Sequence, residues 1–199
     1  MKARSNTSRV AILGMLSLGP QSGYGIKKLV EGSIAHFWSE SFGQIYPILR
    51  TLEADGLAVR RSERQDGKPD RRVYSITAEG LAELHRWLVR PSLPEGFRSE
   101  LLLKLFLGRR VPTEESIRQV EHFKARQTQL LRTYADVEQR LRRDKAHDPD
   151  LPFWLMTLHY GHARAAALVH WSDDTLRSLA RLGRRRSRAK APAAQRRTR

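Results

Sequence analysis

The amino-acid sequence predicts a mainly α-helical chain: a compact helical unit carrying one basic β-hairpin, followed by a region of long helices. Three observations lead there. Apolar residues recur at three- and four-residue intervals along most of the chain, the spacing of one helix face. The one stretch with strand-like alternation, residues 57–76, contains Asp66-Gly67, a hairpin-turn pair. Between the two parts, residues 91–96 hold Pro91, Pro94 and Gly96, a turn-rich joint.

The first helix is predicted from Val10, Ile12, Leu13, Leu16 and Leu18, with Asn6 or Thr7 as its cap and Gly19-Pro20 as its stop. Ser22 caps a short second helix with Tyr24, Ile26, Leu29 and Val30 on its apolar face, Lys27 and Lys28 toward solvent and Gly32 at its end. The third helix, over residues 41–55, is the most informative. Ser41 and Gln44 fit a capping box, Ile45, Ile48, Leu49 and Leu52 repeat as one buried face, and Gly56 suits the left-handed residue just past the end. Pro47 lies near the end of its first two turns, where it removes one helical hydrogen bond and kinks the helix. Leu57-Ala58-Val59 and Val73-Tyr74-Ser75-Ile76 then read as two strands around the basic residues 60–72. Thr77 opens a fourth helix through Trp87, with Leu81, Leu84 and Leu88 on its inner side.

The 199 residues carry 37 Lys and Arg against 21 Asp and Glu, a formal net charge of +16 that is spread unevenly. Residues 1–90 hold 14 basic and 9 acidic groups (+5), residues 91–180 hold 14 and 12 (+2), and residues 181–199 hold 9 and none (+9). The last segment has Leu182 as its one large apolar residue, so residues 183–199 are expected to form a disordered, solvated basic arm that attracts nucleic-acid phosphates by counterion release. The domain expectation is 1–90, 91–182 and the tail 183–199.

The absence of cysteine removes disulfide frameworks, cysteine nucleophiles and the common zinc fingers. The longest apolar stretches, residues 10–19 and 101–108, are about half the roughly 20 residues needed to cross a bilayer. The basic start before an apolar decade lacks a small-residue cleavage motif, which makes the cytoplasm the expected compartment. No Gly-rich phosphate loop, nucleophile elbow or paired-carboxylate site is legible, so neither an enzyme nor a cofactor is expected. His159 and His162 stand three apart without further ligands nearby, and no metal is expected.

Three helices, a basic hairpin and a fourth helix describe a winged helix-turn-helix, in which the third helix enters the major groove and the hairpin lies over the backbone or minor groove. The sequence resembles the PadR family of transcriptional regulators in Gly19-Pro20 with Ser22-Gly23-Tyr24, in Ser41, Gly43, Tyr46-Pro47, Leu49, Leu52-Glu53 and Gly56-Leu57, and in Gly67, Pro69, Arg72, Tyr74, Thr77 and Gly80. The resemblance spans roughly residues 9–90, and the order of the remainder is also similar to that family's helical C-terminal region. It implies a DNA-binding regulator, a repressor, that acts as a homodimer. Phe42 departs from the proline or small residue that many relatives carry, and Gln44 from a small hydroxyl residue, so no base preference carries over.

Within that frame Gln44 is either a base-edge reader, its amide pairing with adenine, or consumed by the helix cap. Tyr46 is a candidate for a phosphate or base contact; Ser41 and Gly43 stand at the helix start. Lys68, Arg71 and Arg72 on the wing, at residues 60–74, with Arg50 and Lys28, are phosphate or minor-groove candidates.

In the second half, residues 101–107 are almost wholly apolar and require burial on most sides. Thr113 is expected to cap a long helix with Glu114 and Glu115 in its first turn. From Ile117, the positions Val120, Phe123, Leu130, Leu131, Tyr134, Val137 and Leu141 follow a spacing near 3.5, a coiled-coil-like dimerisation seam that needs a partner: the last helix of the same chain or a second subunit. Phe153, Trp154, Tyr160 and Trp171 are either core or the lining of an effector pocket; the resemblance implies aromatic or drug-like ligands for some relatives. The leading expectation is a dimeric repressor on an inverted-repeat operator in double-stranded DNA, released by a small molecule. The rival is a non-specific or architectural nucleic-acid binder driven by the arginine tail.

Overall fold

The computed structural model describes residues 2–34, 38, 42–65, 68–94 and 96–190, with the backbone alone at 2–6, 42, 65, 68, 69 and 185–190. The chain divides between Pro94 and Glu95 into two compact units. The first contains α1 (Lys2–Ser17), α2 (Gly23–Gly32), α3 (Phe42–Ala54), β1 (Ala58–Gln65), β2 (Lys68–Ile76) and α4 (Ala78–Leu88). Its core is Ile12, Leu13 and Leu16 of α1, Ile26 and Val30 of α2, and Ile45, Leu49 and Leu52 of α3, closed by Ala58 and Tyr74 at the root of the hairpin.

Local signals place most of these elements. The Ser22 side chain accepts from the Gly25 N–H at 3.0 Å and caps α2. At the end of α3, Gly56 has φ +73°, Leu57 N–H donates to Leu52 O and Gly56 N–H donates to Glu53 O, a Schellman turn that needs a residue without Cβ strain. The strands pair antiparallel from Ala58 opposite Ile76 outward, with an irregularity between Glu63 and Gln65. They run well beyond residues 57–59 and 73–76, because ladder bonding is a backbone property that continues through the charged, solvent-facing residues. The Asp66-Gly67 turn lies outside the described residues.

Three expectations in this unit are corrected. Helix α1 starts at Lys2, so Asn6 and Thr7 lie inside it; either costs only about 0.7 kcal/mol there, too little to stop a helix anchored in the core. Gly32 ends α2 as the sequence suggests, and Ser33 follows as its cap. Tyr24 is 56% exposed, since it stands two positions from Ile26 and points away from the buried face. In α4, Leu81 and Leu88 are exposed, because the helix turns Gly80 toward the hairpin and carries its neighbours out of the contact.

The second unit contains α5 (Glu100–Phe106), a 3-10 turn (Gly108–Arg110), α6 (Thr113–Asp144) and α7 (Leu151–Lys190). Lys124 meets Asp173 at 2.5 Å and Glu138 meets His159 at 3.4 Å, so α7 runs back along α6. Around the Glu138–His159 end of this pairing Tyr134, Leu155, Leu158 and Ala165 are buried, with Leu130, Leu131, Val137 and Leu141 packed against them. The α6 seam therefore has an intramolecular partner. Hydrogen bonding from Lys124 holds the Asp173 carboxyl below its ordinary range, so this pairing supports the helices at neutral pH and is lost as acid protonates the carboxylate.

Here too the structure departs from the sequence reading. Thr113 is the first helical residue and is buried, while Pro112 takes the cap position. Leu102, Leu103, Phe106 and Leu107 are exposed in the single chain, Phe106 to 85%. Helix α7 continues to Lys190, so the segment from residue 183 is helical for eight residues; arginine, alanine and lysine have high intrinsic helix propensity even where nothing packs on them. Residues 191–199 lie outside the described residues.

The tightest approach in the first unit is at Gly80. A Cβ there would fall well inside contact with the Leu57 carbonyl oxygen and 2.8 Å from Ile76 Cγ1. Gly80→Ala is expected to destabilise the fold by about 1–3 kcal/mol, read as a lower denaturant midpoint at unchanged slope; an unaltered midpoint would contradict the packing.

Candidate nucleic-acid interface

The candidate surface is assembled from α2, α3 and the hairpin. Burial of Ile45, Leu49 and Leu52 turns the opposite side of α3 outward, and Gly43, Gln44, Tyr46, Pro47 and Arg50 are exposed. Beside it opens a groove of about 830 Å³ lined by Ser22, Gly23, Tyr24, Gly25, Lys28 and Tyr46, with Asp70, Arg71 and Arg72 from β2. Three cations and one carboxylate give this groove a net positive charge.

Each lining residue is placed by a local interaction. Gly23 is buried under the Tyr46 ring, which sits where a Cβ on Gly23 would be: 2.6 Å from Tyr46 Cε1. Tyr46 is still 50% exposed, so part of its side chain is open to a ligand. Lys28 Nζ lies 5.1 Å from the centroid of the Tyr24 ring, a cation–π contact that holds the ammonium over the groove. On the ladder Arg71 faces Glu63 and Arg72 faces Ser62, and the Ser62 hydroxyl donates to Asp70 at 3.4 Å. Arg60 at the root of β1 pairs with Glu53 of α3 at 3.2 Å, tying the wing to that helix.

The structure thus brings together four of the residues singled out in the sequence: Lys28, Tyr46, Arg71 and Arg72. Gly43, Gln44 and Arg50 share the exposed side of α3 but do not line the groove. Ser41 lies outside the described residues; Lys68 pairs with Gln65 through the backbone, and its side chain is likewise outside them. Sequence reasoning missed Gly23, Tyr24 and Asp70. The signal for the first two was present in Ser22-Gly23-Tyr24, where the helical pattern assigned Tyr24 to the wrong face.

The aromatic quartet is not brought together. Phe153, Trp154, Tyr160 and Trp171 all belong to α7, and 18 residues of helix separate the first from the last by roughly 27 Å. Phe153 and Tyr160 are exposed, and Trp171 stacks edge-on against Phe123 at 5.9 Å. Two cavities of this unit, about 270 and 370 Å³, are lined by other residues around Leu105 and Ser116. Among the described residues no cluster of His, Asp or Glu suits a metal ion, and no helix is long and apolar enough to cross a membrane.

A three-helix core, an outward helix face and a basic two-stranded wing beside a cationic groove define a winged helix-turn-helix DNA-binding protein. Residues 12–86 match the Transcriptional regulator PadR-like family, and residues 97–180 match the family described as Virulence activator alpha C-term. The negative transcriptional regulator PadR of Bacillus subtilis is 30% identical over 173 residues, covering 84% of this chain and 94% of that protein. The crystal structure of Bacillus subtilis PadR with operator DNA superposes at a TM-score of 0.77, with 28% identity over 87% of this chain and 99% of that one. The same protein in complex with p-coumaric acid gives 0.69, with 26% identity over 88% and 96%. The chain belongs to the PadR-like family of transcriptional regulators.

Replacing Arg71 and Arg72 together by Ala is expected to weaken binding to all duplexes alike and to make the salt dependence shallower by about 1 for each phosphate contact removed. Gly23→Ala is expected to leave stability nearly intact, because the exposed Tyr46 ring can swing away, yet to lower DNA affinity. Mobility-shift titrations over a salt series check both, and wild-type affinity in either variant would remove that residue from the interface.

Proposed function

We propose that this regulator is a homodimeric repressor that reads an inverted-repeat operator, each copy placing the outward side of α3 in the major groove and its wing on the adjoining backbone. The observation that carries the reading is the convergence of Lys28, Tyr46, Arg71 and Arg72 on one groove beside that helix face. In this reading Arg71, Arg72, Lys28, Lys68 and Arg50 contact phosphates, while Gln44 and Tyr46 approach base edges, with Ser41 and Gly43 at the helix start. Bacillus subtilis PadR, named as a negative regulator, supports repression as the outcome.

Dimerisation is supported by apolar surface the single chain does not cover: Leu103 and Phe106 on α5, and Phe153, Met156 and Tyr160 on α7. A two-fold assembly also supplies what an inverted repeat requires, two recognition helices about one helical turn of DNA apart. An aromatic effector that prefers another subunit angle would release the operator with a coupling of about 1–3 kcal/mol. The p-coumaric acid complex of the Bacillus subtilis protein supports that chemistry, and here Phe153 and Tyr160, two helical turns apart, would need residues of a partner to close a pocket. The protein acts in the cytoplasm, without cofactor or catalysis.

Selection from random duplex DNA is expected to return an inverted repeat, and light scattering a mass of about 46 kDa, twice the 22.9 kDa of one chain. A single half-site motif or a mass of one chain would refute the dimer. Gln44→Ala should relax preference at one base pair per half-site by about 1–3 kcal/mol, with the remaining positions unchanged.

A further inference from the structure

We infer that the second unit holds a binding site for a medium-chain aliphatic carboxylate, where α5 and the 3-10 turn meet the start of α6 and the end of α7. Two cavities lie there, about 370 and 270 Å³, and Leu105 and Ser116 line both. The larger falls within the roughly 300–1,000 Å³ usual for small-molecule sites. The observation that points to a ligand is Ser116. It is 7% exposed, yet its hydroxyl has no hydrogen-bond partner among the described residues. Thr128, Thr133 and Ser172 on the same two helices instead donate to the carbonyl four residues back. Ser116 Oγ stands 3.3 Å from where a Cβ on Gly108 would lie, and Gly108 belongs to the wall of the larger cavity. Buried hydroxyls are ordinarily hydrogen-bonded, because an unpaired one has given up its hydration for nothing, so a ligand acceptor supplies what this wall lacks.

The rest of the lining sets the class of ligand. Leu105, Leu179 and Leu182 line the larger cavity and Leu107 and Val111 the smaller, with no aromatic ring in either, so the walls suit an aliphatic chain better than a planar ring. The charged lining residues are all cations, Arg109 of the larger cavity and Lys104 and Arg110 of the smaller. Lys104 is engaged by Glu100 at 2.6 Å, and Glu115, in the first turn of α6, is held by Arg118 outside the lining. Thr113, the first residue of α6, brings the positive end of that helix to the larger cavity. A carboxylate accepting from Ser116 therefore sits in the field of Arg109 and Arg110, with its chain among the leucines. The end of α7 closes over the start of α6, a Cβ on Gly183 falling 3.8 Å from Thr113 Cγ2, while the exposed Leu182 leaves a way in. The site is separate from the aromatic residues considered above: Leu179 is 19 residues beyond Tyr160 on α7, about 28 Å along the helix.

The test is calorimetric titration of the full chain, without DNA, with butanoate, hexanoate and octanoate, and with acetate and p-coumarate for comparison. Because binding is read directly, the result does not depend on the operator reading. Octanoate is expected to saturate one site per chain, with affinity rising about three- to fourfold for each methylene added along the series. Ser116→Ala, which suits a helix and keeps the cavity, should weaken octanoate about tenfold, the loss of one hydrogen bond to a charged group. Leu179→Phe, which fills the larger cavity, should abolish the gain with chain length, and a thermal melt of each variant checks that it is folded. Acetate binding as well as octanoate would reduce the effect to the attraction of a basic protein for anions and overturn the inference. So would p-coumarate binding more tightly than octanoate, or octanoate affinity unchanged in both folded variants. A fall in mass by light scattering as octanoate saturates would assign the cavities to the cover of a second copy and overturn it as well.

Discussion

The root of the wing is the constraint on which the DNA-facing surface depends. Tyr74 of β2 exchanges both backbone hydrogen bonds with Gln21, its N–H donating at 2.8 Å and its carbonyl accepting at 2.9 Å, while its side chain is buried with Leu49 and Leu52 in the core. Gln21 immediately precedes the Ser22 cap of α2, so one residue pair joins the ribbon to the helix that supplies Gly23, Tyr24 and Lys28. Two and three residues along β2 stand Arg72 and Arg71. A two-stranded hairpin alone is marginal in water; this pair, the buried Tyr74 side chain and the Arg60–Glu53 ion pair together give its cations a defined place relative to α3.

A second contact system works on the same root from the other side. Thr77 accepts from the Gly80 N–H as the cap of α4 and donates to the Gly56 carbonyl at 2.8 Å, while Gly80 rests on the carbonyl of Leu57. Gly56 in its left-handed conformation ends α3 and starts β1 within two residues. The end of the recognition helix, the start of the wing and the start of α4 are therefore one packed junction.

What the sequence made legible were features decided within a few residues: the Ser22 and Thr77 caps, the Gly56 stop, the buried face of α3 and the hairpin itself. What it misplaced depended on how elements turn against one another. Tyr24, Leu81 and Leu88 fitted an apolar stripe by spacing, but the approach of Gly80 to Leu57 and the covering of Gly23 by Tyr46 chose different faces. The apolar run at 101–107 was read as interior, yet the single chain leaves Phe106 and Leu103 in solvent, since spacing alone does not say which chain supplies the cover. The aromatic residues of α7 looked like a cluster in sequence and are strung along a helix in space.

Charge bookkeeping decides how far one winged unit can go alone. In the proposed reading Lys28, Arg71 and Arg72, which line one groove, would neutralise about three phosphates, a salt dependence near −3, which is the scale of weak, sequence-indifferent contact. Specific regulators reach about 10⁻⁸ to 10⁻¹¹ M at physiological salt, and a single groove of this size falls short of that range. In the proposed dimer that shortfall would be met by repetition, two grooves on one operator, while residues 91–180 carry only +2 and would add little to the field at the DNA.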